Sequence, residues 1–362
     1  MTADQALRGL LLGTYVFAAA LALLFLYLLG LKIAFRRRQS ELAHWTQRFW
    51  NADPSAYDAG RPTRLFQRRR AFHALRNEAL QQALYRRSGV FRGKTEQRDV
   101  SRFAERHLTD FYRRQLRSRS RGRRLATLRY MEQLKMSTLL QETADIVRHP
   151  RVTDEERFAA VRVFAALDRA ETITFLLEAG ERFSDFQCLQ ILNLLSSERL
   201  QELIRSFDAL PPRFRLLLVD ALRIRNERSE AVLALLERSA ESEDGELRIR
   251  ALKALANFGY MSAEGVAALL SRIARPGDVR WEERLTRAKA MGSVREPPFL
   301  AHLETLLSDP VYLVRQQAAL SIAQYKGGLQ RLERLAAEHP DRYAREMAKE
   351  IIERVRYERD MD

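Results

Sequence analysis

Residues 9–31 carry no charged side chain, and Lys32, Arg36, Arg37 and Arg38 follow directly. At 1.5 Å per residue such a run reaches roughly 35 Å as a helix, enough for a hydrocarbon core of about 30 Å. The pattern predicts a transmembrane helix over residues 9–35, after a short extracytoplasmic segment, 1–8. Upstream lie only Asp4, Arg8 and the terminal amine. The positive-inside rule therefore predicts a single-pass protein of the inner (cytoplasmic) membrane, N-terminus out and C-terminal domain cytoplasmic. A cleaved signal peptide fits worse. Its apolar region is shorter, its basic stretch comes first, and Leu29-Gly30-Leu31-Lys32 offers no small-residue cleavage site.

Beyond the apolar run, hydrophobic positions recur at helical spacing. Arg64–Arg87 places Leu65, Phe72, Leu75, Ala79, Ala83 and Leu84 toward one side, and Ser88-Gly89 ends it. Asp99–Leu116 does the same with Val100, Phe103, His107, Leu108 and Phe111. Arg123–His149 supplies Leu125, Leu128, Met131, Leu134, Leu139 and Leu140, and stops before Pro150. Residues 51–63 and 88–98 read as loops. The expectation for residues 36–150 is a basic juxtamembrane helical adaptor.

From about residue 150 the pattern repeats. Asp244, Asp278 and Asp309 each precede an arginine by six residues: Arg250, Arg284 and Arg315. An alanine follows each arginine by four, at Ala254, Ala288 and Ala319. The Asp suits a helix N-cap, the Arg can reach a neighbouring loop or acid, and the alanine lets helices approach closely. Gly259 and Gly292 read as helix ends, and a third helix runs into Gly327-Gly328. Earlier units keep the rhythm without the Asp–Arg pair. Thr153–Glu156 and Ser184–Gln187 have the form of capping boxes, and Pro211-Pro212 opens a helix. Aligning Val161 with Val219 gives two units of about 29 residues. A recurrence of this length predicts stacked helical hairpins, each unable to bury its apolar face alone.

The stretch Asp309-Pro-Val-Tyr-Leu-Val-Arg-Gln-Gln-Ala-Ala-Leu-Ser-Ile-Ala resembles the HEAT-repeat family, in the variety called PBS-lyase-like. The resemblance is strong over 244–338 and weaker before. It implies an all-α chain whose residues 151–340 form a HEAT-like α-solenoid of about six helical hairpins. A helix over Asp341–Arg359, within 341–362, would cap its end.

Composition agrees: Gly and Pro are sparse, at 15 and 10 residues. The single cysteine, Cys188, excludes a disulfide framework and reads as a core residue. Charge is uneven. The net +15 is concentrated in residues 36–130, with 25 Lys and Arg against 8 Asp and Glu, whereas residues 131–362 hold 35 against 38. Candidate membrane-surface or partner-binding cations are Arg36, Arg37, Arg38, Arg61, Arg64, Arg68, Arg69, Arg70, Arg117, Arg119, Arg121, Arg123 and Arg124. Their partners are anionic lipid headgroups or an acidic protein surface. Nucleic-acid contact is a third reading. Trp45, Phe49 and Trp50 suit either a membrane interface or packing on the adaptor.

No catalytic constellation emerges. The six histidines form no metal-binding spacing, one cysteine cannot build a thiolate cluster, and no phosphate loop or nucleophile elbow occurs. Glu155-Glu156 and Glu282-Glu283 lie in helix first turns, where the macrodipole accounts for them. HEAT-like solenoids include phycobilin lyases and DNA glycosylases. Asp278 and Trp281 are the local hint of the latter, but a slightly acidic repeat region is wrong for DNA. No cofactor, metal or small-molecule substrate is implied. The expected function is a membrane-anchored scaffold, an accessory subunit binding an integral-membrane enzyme or transporter such as a polysaccharide synthase. The alternative is a tethered nucleic-acid-binding or modifying solenoid.

Overall fold

The computed structural model describes residues 3–51, 70–90, 93–274 and 279–361, with backbone alone at 3–16, 18, 19, 50, 51, 70–74, 90, 94 and 359–361. Eighteen α-helices account for most of them, in two compact units, Met1–Leu167 and Asp168–Asp362.

The first unit holds α1 (Ala3–Asn51), α2 (Arg70–Val90), α3 (Lys94–Leu116), α4 (Arg121–Leu134), α5 (Leu140–Arg148) and α6 (Asp154–Ala166). α1 packs on α2, α2 on α3 and α4, and α4 and α5 on α6. Ala79, Ala83, Ala104, Leu108, Tyr112, Leu128 and Met131 are buried between them. α3 starts at Lys94, within the stretch expected to be loop. The single helix expected over 123–149 is two helices, because Lys135 turns left-handed at φ 50°. Its amide and that of Met136 bond back to Glu132 O and Met131 O, closing α4 without a glycine.

The expected transmembrane helix over 9–35 is corrected here, and with it the single-pass inner-membrane location. Among the described residues no helix is long and apolar enough to cross a membrane. The side chains of residues 9–16 lie outside that description. α1 continues through Lys32, Arg36, Arg37, Arg38 and Glu41, then buries Leu42, Thr46 and Phe49. Phe49 thus serves packing, and Trp45 lies 6.0 Å from its ring. The side chain of Trp50 lies outside the described residues, as do residues 52–69.

The second unit holds α7 (Glu171–Ala179), α8 (Asp185–Leu194), α9 (Ser197–Arg205), α10 (Pro212–Arg225), α11 (Glu230–Ala240) and α12 (Gly245–Phe258). It continues with α13 (Ala263–Ala274), α14 (Trp281–Val294), α15 (Phe299–Leu306), α16 (Tyr312–Ala323), α17 (Gly328–Glu338) and α18 (Arg342–Met361). Alternate helices stack. α8, α10, α12, α14, α16 and α18 form one layer, each packing on the next, while α9, α11 and α13 form a second.

Local chemistry sets the helix starts. Thr153 accepts from Glu156 N while Glu156 reaches back to Thr153 N, and Ser184 and Gln187 do the same at α8. Asp244 caps α12, accepting from Glu246 N at 2.9 Å and Leu247 N at 3.4 Å. Pro212 occupies the first turn of α10. Gly259 ends α12 in the left-handed conformation, φ 70°. Gly292 does not end α14, which runs to Val294 and closes at Arg295, φ 61°. Gly292 lies instead against α16: a Cβ there would stand 2.6 Å from Ser321 Cβ.

Candidate partner-binding surface

The buried positions of the stacked helices fall into one register. Phe214, Leu218, Val219, Ala221 and Leu222 of α10 match Leu247, Ala251, Leu252, Ala254 and Leu255 of α12. Val314, Ala318, Ala319, Ser321 and Ile322 match them on α16. In this register one arginine recurs in the first turn: Arg215, Arg248, Arg284, Arg315 and Arg345. Each donates to carbonyls five to seven residues upstream, in the loop leading into its own helix. Arg215 binds Leu210 O at 2.8 Å and Asp208 O at 3.0 Å. Arg248 binds Ser242 O at 2.8 Å and Glu243 O at 2.9 Å. Arg315 binds Asp309 O at 2.8 Å and Pro310 O at 3.1 Å, and Arg345 binds His339 O at 2.6 Å and Pro340 O at 3.0 Å. Arg284 binds Val279 O. A guanidinium has enough donors to satisfy loop carbonyls that would otherwise go unpaired.

This register moves one sequence assignment by two residues. Arg248, not Arg250, is the partner of Arg284 and Arg315; Arg250 instead pairs with Asp220 of α10 and Glu246 of its own helix. Asp309 receives Arg284 at 2.5 Å and 3.0 Å and also accepts from Val311 N. Asp278 lies outside the described residues. The clasp also occurs in the first unit, where Arg124 binds Ser118 O at 2.6 Å and Arg157 binds His149 O at 3.2 Å. Sequence reasoning missed these members because their Asp is absent. The signal was a first-turn arginine aligned with the buried stripe.

Two buried glutamates join successive stacked helices. In the second unit Arg248 reaches Glu283 of α14 at 2.8 Å, and Arg287 reaches it at 2.5 Å. In the first, Arg124 reaches Glu156 of α6 at 2.6 Å. Burial alone would raise both carboxyls, but the guanidinium bonds win and hold them below the ordinary carboxylate range. Asp309 is lowered in the same way, against its own burial, by Arg284 and Val311 N. His302 moves the other way for a base: burial first, then Arg287, lowers it to about 4. Cys188 is buried, and burial raises its thiol. Glu156, Glu283 and Asp309 tie elements together within their units through these arginines.

Several large apolar side chains remain exposed at the helix starts. Trp281 and Tyr312 occupy the same register position, three before the recurring arginine, at the starts of α14 and α16. They are 38% and 45% exposed. Leu313 and Tyr343 follow, 47% and 62% exposed. The Arg315 guanidinium lies 5.9 Å from the Tyr312 ring centre and 5.4 Å from that of Tyr343. Tyr312 donates to Glu350 at 2.9 Å. Exposed Trp, Tyr and Arg held in fixed positions have the composition of an interface hot spot.

The basic residues of the first unit divide. Arg36, Arg37 and Arg38 stand exposed on α1, with Arg38 bonded to Glu78 at 2.8 Å. Arg121 pairs with Glu155 at 2.8 Å, and Arg124 with Glu156. Arg117, Arg119 and Arg123 are exposed. Arg38 and Arg123 come together on one cavity with Glu78, Gln81, Phe111 and Tyr130. Arg61, Arg64, Arg68 and Arg69 lie outside the described residues, as does the side chain of Arg70. Among the described residues no group of three or more His, Cys, Asp or Glu is placed to hold a metal ion.

No protein-family profile matches the sequence, and no curated protein matches it. Among solved structures it is similar to Kap121p, with TM-score 0.47 and 14% identity over 78% of this chain and 37% of that one. It is similar also to the Pds5–Scc1 complex, with TM-score 0.32 and 13% identity over 85% and 59%. A designed armadillo repeat protein gives 0.20 and 17% over 67% and 98%. The chain thus spans 37% of the length of the Kap121p chain it matches.

Proposed function

We propose that this chain is a helical-repeat scaffold that binds a protein partner along the outward edge of its second unit. Trp281, Tyr312, Leu313 and Tyr343 are the anchors. The observation that carries this reading is their exposure at the starts of consecutive stacked helices, with Arg315 against Tyr312 and Tyr343 and Glu350 bonded to Tyr312. Large, rigid side chains lose little conformational freedom on binding, so they return more affinity per contact than exposed lysines or glutamates. The internal charges support the same division of labour, since the recurring arginines are occupied by loop carbonyls and acids. Asp244, Arg250, Arg284, Asp309 and Arg315 are on this reading structural. Arg36, Arg37, Arg117 and Arg119, exposed in the first unit, offer a second contact for an acidic stretch of the partner.

Crosslinking of the tagged chain in its native cells, followed by mapping of the linked peptides, tests the proposal. Links concentrated around α14, α16 and α18, and lost when Trp281, Tyr312 and Tyr343 are replaced by alanine, are expected. A partner captured equally by that variant, or linked only elsewhere, contradicts it.

A further inference from the structure

Arg38 and Arg123 meet at a cavity of about 270 Å³ inside the first unit. Four helices border it. α1 gives Arg38, α2 gives Glu78 and Gln81, α3 gives Phe111 and Gln115, and α4 gives Arg123 and Tyr130. We propose that this cavity binds a small organic phosphate carrying a planar, hydrogen-bonding body, the chemistry of a nucleoside monophosphate.

Charge is the first argument. Three nearby arginines are paired: Arg113 with Glu142 at 2.9 Å, Arg121 with Glu155 at 2.8 Å, and Arg124 with Glu156 at 2.6 Å. Arg123 has no carboxylate partner among the described residues, although it lines the cavity. Glu78 answers the charge of Arg38 and holds it on the wall. One positive charge is left over, on the side chain best shaped for bidentate contact with a phosphate.

The remaining lining suits a planar body. Phe111 and Tyr130 bring aromatic rings to the lining, the residue type on which bases stack. Gln81 and Gln115 each bring a donor and an acceptor, matching the mixed edge of a nucleobase. The Tyr112 hydroxyl, on the residue next to Phe111, is buried with no hydrogen-bond partner among the described residues. A buried hydroxyl left unpaired is rare, and its chain neighbour Phe111 lines the cavity. The volume lies near the small end of ligand sites, which run from about 300 Å³ upward, so a metabolite fits and a polymer does not.

Calorimetric titration of the full chain tests this with the four common nucleoside monophosphates, the matching nucleosides and inorganic phosphate. At least one monophosphate binds, and both its nucleoside and inorganic phosphate bind about tenfold weaker or worse. Arg123→Gln weakens that binding by about tenfold with the melting temperature unchanged, and Gln115→Ala alters the ranking among bases. Tyr312→Ala leaves binding as it was, which separates this site from the aromatic edge. Absence of heat with every monophosphate up to about 1 mM overturns the proposal. So does inorganic phosphate binding as tightly as the monophosphates, or an Arg123→Gln variant that binds like wild type.

Discussion

Arg248 of α12 reaches across to Glu283 of α14, Nη2 to Oε2 at 2.8 Å, where the carboxylate is almost wholly withdrawn from solvent. The same arginine binds two carbonyls of its own loop. One side chain therefore fixes both the entry to its helix and that helix's distance from the next.

Replacing Glu283 by alanine strips this arrangement of its anion and leaves Arg248 and the buried Arg287 unpaired. Breaking one side of a buried pair typically costs about 3 kcal/mol or more. Glu156→Ala costs less, because its partner Arg124 is more exposed than Arg248. Urea denaturation of the two variants measures both losses, and equal losses would contradict the ordering.

Acidification weakens the fold in two stages. His302 is held neutral to about 4, against 6.5 for a free imidazole. The unfolded chain binds that proton first, so stability falls as pH drops from 6.5 toward 4. From pH 7.5 to 5.5 this group contributes a loss of about 1 kcal/mol. Glu156, Glu283 and Asp309 have lowered carboxyls, so their contributions persist through that window and fall away only below the ordinary carboxylate range. Urea midpoints of wild type and His302→Leu across the window check the first stage: the variant's curve is the flatter one.

Gly292→Ala sets two effects against each other. Alanine is the better helix former by about 1 kcal/mol. The new Cβ, however, meets Ser321 Cβ at 2.6 Å and its Cα at 2.9 Å, and backbone cannot swing aside. Overpacking of this kind costs about 1–3 kcal/mol, so the variant is less stable. A melting temperature at or above wild type would show that α14 and α16 are not pressed together at this point.

Arg315→Lys keeps the charge and loses the fork. Lysine cannot hold the Asp309 and Pro310 carbonyls in the same geometry while presenting a flat face to Tyr312 and Tyr343. A loss of about 1–2 kcal/mol is expected, together with a change in tyrosine fluorescence from the freed rings. A lysine variant matching wild type in both would assign the clasp no weight.

Much of the second unit is legible in the sequence, because its signals are local. The box at Ser184, the Asp244 cap and Pro212 each depend on residues within one turn, as does the Thr153 box of the first unit. The first-turn arginine is only partly legible, since the Asp-to-Arg spacing selects Arg250 and the buried stripe selects Arg248. The break at Lys135 carries no glycine or proline to announce it. Gly292 imitates a helix end, and only the neighbouring helix reveals the close approach. An uncharged run has one appearance in sequence, whereas α1 continues past its charges to bury Leu42 and Phe49. The cavity joins Arg38 to Arg123 across most of the first unit, and no local pattern links them.

The central claim is that a partner is held by the aromatic edge. Its most direct test is the affinity of the crosslinked partner for wild type and for the Trp281→Ala/Tyr312→Ala/Tyr343→Ala variant, at matched fold content. A loss of roughly 100-fold is predicted, the scale of one or two interface hot spots. Equal affinity of the two chains would contradict the account.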